Sequence, residues 1–118
     1  MTRAERPSVL LWAILGFLVW ASAFAALHGT HAVTCPDSLW MVEVLGMRPY
    51  RALLAGLWLL HLAIVIWLLA AGRRRFRATD AEPAGLDRFA YVLVVFATIA
   101  AAVATFWIGL PVVLLSTC

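Results

Sequence analysis

The sequence of 118 residues contains no lysine, and only 13% of its residues are charged. All nine basic residues are arginine, and they fall in a few short groups. Soluble domains are about a quarter charged, so the low charge content argues against a soluble fold. The arginines form no basic face interleaved with stacking aromatic side chains, and this pattern excludes nucleic acid as a partner.

The sequence also lacks the motifs that carry common enzyme chemistry. It contains no H-E-x-x-H metal helix, no G-x-S-x-G nucleophile turn, no phosphate-binding glycine loop and no C-x-x-C pair. No carboxylate falls within a long apolar run, where a proton-coupled transporter would carry one. These absences predict a protein that is not an enzyme.

Long apolar runs dominate what is present, since 65% of the residues are hydrophobic. Each of the three runs exceeds the ~20 residues that a helix needs to cross ~30 Å of hydrocarbon. The sequence therefore predicts an all-α integral membrane protein whose residues 1–118 form a single three-helix domain. The expected spans are approximately 8–27, 52–72 and 88–110, and Pro111 is expected to end the third helix.

The arginines lie unevenly on the two sides of these spans. Seven fall before the first span or in the loop 73–87 with its flank, and two fall in the loop 28–50. The positive-inside rule then predicts a bacterial inner-membrane protein with a cytoplasmic N-terminus and a periplasmic C-terminus. Arg73, Arg74, Arg75 and Arg77 are expected to mark this topology and to contact anionic membrane lipids.

The outer loop 28–50 is not uniformly polar. Pro36, Asp37 and Ser38 are typical of a helix start, and an apolar stretch over 39–45 follows them. This pattern predicts a short interfacial helix that lies flat on the outer membrane surface.

The two cysteines, Cys35 and Cys118, are predicted to lie on the same outer side, where thiols oxidise. A disulfide between them would close a loop of about 83 residues and would stabilise the fold by about 4 kcal/mol in a chain-entropy estimate. We expect this bond to tie the outer loop to the end of the chain.

His28, His31 and Cys35 are spaced three and four residues apart, so they would share one face if the first helix continued through them. Such a face could hold zinc, copper or haem iron. Gly29 weakens helix continuation, however, and the alternative is that both histidines are simply polar residues at the membrane interface.

His61 is the one ionisable side chain in the second run and lies near its middle. An ionisable residue inside a membrane suggests a functional role, and three roles compete. His61 could ligate a haem, contact a quinone, or hydrogen-bond while neutral to a hydroxyl such as Ser22, Thr98 or Thr105.

Small residues recur four apart in the runs, a spacing that lets helix backbones approach closely in lipid, although alanine-rich composition also produces it by chance. The pairs are Ala21 with Ala25, Ser22 with Ala26, Ala52 with Gly56, Ala97 with Ala101, and Ala100 with Ala104. They favour a non-catalytic accessory subunit or assembly factor of a larger inner-membrane complex. The respiratory chain is the first candidate, because small hydrophobic subunits are common there.

No cofactor is predicted; the alternative is a small membrane protein that binds haem, quinone or a metal through His28, His31 and Cys35 or through His61.

Overall fold

A computed structural model describes residues 6–35, 42–77 and 85–115 of the chain. It contains helices α1 (Arg6–Thr34), α2 (Pro49–Arg77) and α3 (Gly85–Leu115). Within them, the segments Val9–Thr34, Pro49–Arg75 and Arg88–Leu115 are long and apolar enough to cross a membrane. A helix satisfies all its backbone hydrogen bonds internally, which is what a segment without water around it requires. The protein is therefore a multi-pass, all-helical membrane protein.

The helices form an elongated bundle of 58 × 21 × 19 Å in which every pair of helices is in contact. Ser22 contacts His61 and Trp12 lies against Gly72, so α1 and α2 are antiparallel. Trp58 contacts Thr105 while Gly72 lies against Val94, so α2 and α3 are antiparallel as well. Helices α1 and α3 consequently cross in the same direction.

All three helices extend past the ends expected from hydropathy. Helix α1 continues through Gly29 to Thr34, so residues 28–34 are helical and do not belong to the outer loop. A glycine inside a helix costs about 1 kcal/mol relative to alanine. Local contacts offset this cost: the Thr34 hydroxyl donates to the Thr30 carbonyl at 2.8 Å, and the Cys35 amide donates to the His31 carbonyl at 3.0 Å.

The prediction that Pro111 ends the third helix is wrong, because α3 continues to Leu115. Proline removes one backbone donor and so leaves the Trp107 carbonyl without its usual partner four residues later. Helices in membranes tolerate this loss, since neighbouring helices and small local adjustments compensate for it.

No fourth helix is present in the described residues, and the first half of the predicted interfacial helix lies outside them. Its second half adopts a tight reverse turn instead. Val44 and Met47 exchange two backbone hydrogen bonds of 3.1 Å, and the residues between them, Leu45 and Gly46, have φ angles of 55° and 78°. Positive φ at both central residues is the pattern of a type I′ turn. Glycine adopts it freely, whereas leucine does so at a cost of about 1 to 2 kcal/mol.

Near the end of the bundle where α1 ends and α2 begins, three fully buried side chains form a small apolar core: Leu27, Tyr50 and Leu54. Further residues of α2 and α3 pack around them, namely Leu57, Trp58, Ile108, Val112 and Val113. This core holds the three helices together between that end of the bundle and the polar residues described next.

Candidate functional site: a polar layer at the centre of the bundle

His61 lies near the centre of the α2 span and is buried, with 8% of its surface exposed. Its Nδ1 is 2.7 Å from the Leu57 carbonyl oxygen, and its Nε2 is 3.1 Å from the Ser22 hydroxyl. A carbonyl oxygen only accepts, so Nδ1–H donates to Leu57. In the neutral ring, Nε2 then carries no hydrogen and accepts from Ser22. The imidazole is thereby oriented by its own helix and bonded to α1.

Of the three hydroxyl groups considered as partners for His61, the structure places Ser22 against it. Thr98 is buried, but its hydroxyl donates to the Val94 carbonyl of its own helix at 2.7 Å. A threonine in this arrangement satisfies its hydroxyl locally and adds no bond between helices.

Thr105 lies at about the same depth as Ser22 and His61. Gly16 of α1 lies against Thr98 and Ala101 of α3. Because these helices are parallel, moving six residues along each brings Ser22 level with residues 104–107. The Thr105 side chain is fully buried, and its Oγ1 has no hydrogen-bond partner among the described residues.

The backbone of Thr105 is also engaged, because its carbonyl oxygen accepts a hydrogen bond of 3.2 Å from Nε1 of Trp58. The indole lies over Gly109, one turn further along α3, where an added Cβ would overlap the ring. Glycine at this position is thus what allows Trp58 to approach the α3 backbone. We refer to Ser22, His61, Trp58 and Thr105 as the central polar layer.

The central polar layer joins α2 to both neighbouring helices. One bond runs from Ser22 to His61 and the other from Trp58 to Thr105. Both ring nitrogens of His61 are in use, so binding an iron or a quinone there would require the Ser22 bond to break. The arrangement suits helix association.

The histidines near the C-terminal end of α1 make separate contacts. The His28 ring stacks on Phe24, with 4.3 Å between ring centroids, and its Nδ1 donates to the Phe24 carbonyl at 3.0 Å. His31 instead places Nε2 3.5 Å from Sγ of Cys35. Among the described residues, no three histidine, cysteine, aspartate or glutamate side chains form a group that could hold a metal ion. The structure thus brings two members of the predicted ligand set together and leaves His28 apart.

Cys118 lies outside the described residues, so the Cys35–Cys118 disulfide remains a prediction. We expect the native protein, denatured with an alkylating agent, to take up no label without reductant and two labels after reduction, counted by mass. As a control, Cys118→Ser should take up one label under both conditions, which would show that position 35 is reachable. Two labels without reductant would contradict the disulfide and reopen the metal-site interpretation.

The arginines near the end of α2 are described in part. Arg73, Arg74 and Arg75 have exposed side chains on the last turns of the helix, whereas the side chain of Arg77 is outside the described part. Positive side chains are favourable at a helix C-terminus. Their contact with anionic lipid and their cytoplasmic location remain predictions.

A half-open apolar cavity of about 250 Å³ lies between α1 and α3. Small and aromatic side chains line it: Ala13, Phe17, Trp20, Ala97, Ala100, Ala101 and Ala104. The Trp20 Nε1 is buried and has no hydrogen-bond partner among the described residues. In a membrane, lipid chains can fill such a cavity.

Two features were not predicted from the sequence, namely the Trp58–Gly109 contact and the turn at Leu45 and Gly46. For the first, Gly109 marks a possible point of close helix approach, but nothing in the sequence identifies Trp58 as the residue that approaches it. For the second, only Gly46 pointed to a turn, and the apolar residues before it favoured a helix.

Comparison with protein-family models, with curated proteins and with solved structures finds no match for this chain, so its function has to be inferred from its own residues and contacts.

Proposed function

We propose that this chain is a non-catalytic accessory subunit or assembly factor that packs against a larger complex in the bacterial inner membrane. The observation that carries this proposal is an exposed small-residue notch on α2. Ala52 and Gly56 are both exposed, and a Cβ added at Gly56 would meet no atom within 4 Å. Small residues four apart allow close contact with another helix in lipid. Within the described residues, no helix uses this notch.

A second exposed stripe supports the same conclusion. Ala21, Ala25 and Gly29 lie four apart on α1, all are exposed, and Gly29 also has open space around an added Cβ. The Ser22–His61 contact fixes the register of α1 and α2, and it places Gly29 and Gly56 at nearly the same depth. By contrast, Ala101 is buried, and it lies against Gly16 of α1. Some small residues therefore pack within the bundle, while the exposed stripes on α1 and α2 are available to contact a partner helix.

The central polar layer favours this role over the cofactor alternative. Both ring nitrogens of His61 form hydrogen bonds within the chain, and His28 and His31 make separate local contacts. An intramembrane histidine that bonds two helices needs no ligand to explain its presence.

We further propose that the N-terminus is cytoplasmic and the C-terminus periplasmic, with a respiratory complex as the first candidate partner. The arginine asymmetry supports this orientation, and the exposed arginines at 73–75 suit contact with anionic headgroups.

Gentle solubilisation of native membranes is expected to leave the chain comigrating with a large complex on a native gel. Gly56→Leu and Gly29→Leu should each reduce this comigration, because the added side chain prevents close helix approach. A Cβ added at either position meets no atom within 4 Å among the described residues, and both positions are exposed, so both variants should remain folded by circular dichroism. Val103→Phe is the matched control, since it enlarges an exposed side chain on α3 outside both stripes. Migration of the unaltered protein only as a monomer would contradict the proposal.

A further inference from the structure

The reverse turn between α1 and α2 carries an unusual concentration of exposed apolar side chains. We call residues 42–48 the outer turn. Leu45 at its tip is fully exposed, and Val42, Val44 and Met47 are each more than half exposed. Exposure of apolar side chains to water is unfavourable. The tip is also strained, because Leu45 has a φ of 55°.

The outer turn has two different sides. Val44 and Met47 are paired across the turn, and pairing residues project to the same face. Glu43, the residue directly before Val44, points to the opposite face. Glu43 lies 3.9 Å from Arg48, so the opposite side carries an ion pair that is itself largely exposed. The turn is therefore amphipathic, with an apolar tip and face and a charged back.

The outer turn directly precedes a membrane-spanning helix. Leu45 precedes Pro49, the first residue of the α2 span, by four residues. Even a fully extended chain of that length reaches at most about 14 Å, and the folded turn reaches less. Each headgroup region is about 6 Å thick, so the tip lies within reach of the hydrocarbon boundary. Arg51, which is also exposed, lies in the first turn of the same helix.

We infer that the outer turn inserts its apolar tip and face into the outer leaflet, with the phospholipid bilayer as its partner. The Glu43–Arg48 pair and Arg51 remain at the headgroups, where both signs of charge find partners. Insertion transfers the Leu45 side chain from water to hydrocarbon. This transfer is favourable and offsets the cost of its positive φ angle. This interaction is independent of the partner complex proposed above, because it uses neither small-residue stripe.

The test is photo-crosslinking of the full-length chain in vesicles of phosphatidylethanolamine and phosphatidylglycerol. A diazirine analogue of leucine is incorporated at position 45 or, as a reference for lipid contact, at position 60, where Leu60 is exposed on α2. Lipid adducts at position 45 are expected at a yield comparable to position 60. Removing the apolar face with the double change Val44→Ser and Met47→Ser should lower the adduct yield at 45 by about tenfold or more, because burial of each large apolar side chain contributes a partition factor of at least about ten. The yield at 60 should not change, which would show that the bundle remains inserted.

Two results would overturn the inference. One is a predominance of water adducts at position 45 in the vesicles. The other comes from repeating the experiment in native membranes: a protein adduct of discrete mass in place of lipid would show that the outer turn docks on a protein. Lipid adducts in both settings support insertion.

Discussion

Gly109→Ala is expected to lower the free energy of unfolding by about 1 to 3 kcal/mol, the usual cost of forcing extra volume into a packed site. The added Cβ would overlap the indole of Trp58, so the ring must move. Moving it stretches or breaks the 3.2 Å hydrogen bond from Nε1 to the Thr105 carbonyl and opens the contact between α2 and α3. Reversible unfolding in mixed micelles, followed by circular dichroism, measures the change.

Gly56→Ala is the matched control, because its added Cβ meets nothing within 4 Å in the described structure. In a helix it should be neutral or should stabilise by up to about 1 kcal/mol, the propensity difference between the two residues. In a Trp58→Ala background, Gly109→Ala should lose most of its effect, because the overlapping ring is gone. Equal destabilisation by Gly109→Ala and Gly56→Ala would show that Trp58 does not pack on Gly109.

His61→Ala is expected to cost about 2 kcal/mol or more, because it leaves a cavity in a buried site and removes the bond to α1. The contribution of that bond alone follows from a double-mutant cycle between Ser22→Ala and His61→Phe, which keeps a ring in place. We expect a coupling free energy of about 0.6 kcal/mol and at most about 1.7 kcal/mol, the range measured between membrane helices.

Thr98→Val is the control for this cycle. Among the described residues, the Thr98 hydroxyl bonds to the Val94 carbonyl of its own helix and to no other helix, so this change should be additive with His61→Phe. Absence of coupling between positions 22 and 61 would contradict the Ser22–His61 bond. A visible absorption band in the purified protein that disappears in His61→Ala would instead support a bound haem.

The three spans could be predicted because hydropathy reports which residues avoid water. Hydropathy does not report where a helix ends once it leaves the hydrocarbon. Thr34 continues α1 through a hydroxyl bond to its own helix, and Leu115 continues α3 beyond a proline. The first extension involves a local hydrogen bond that a count of apolar residues does not include. In the second, the apolar run continues past Pro111, and the proline does not end the helix as predicted.

The candidate site was predictable only as a set of options. His61 stood out as an ionisable residue in an apolar run, and Ser22 was one of three hydroxyls within its reach. Choosing among them requires the register of α1 against α2, which depends on packing along the whole bundle. The contact between Trp58 and Gly109 joins residues 51 positions apart, and nothing near either residue indicates the other. The turn at Leu45 was missed because leucine rarely adopts a positive φ.

The central polar layer has a mechanical consequence. Helix α2 is bonded to α1 through His61 and to α3 through Trp58, and these two residues lie within one turn of each other. Advancing a helix by one residue means a shift of ~1.5 Å and a rotation of ~100°, which would break both bonds at once. Sliding or rotating α2 by one residue therefore breaks the bonds to both neighbours together, whereas tilting the three helices as one unit leaves both bonds in place.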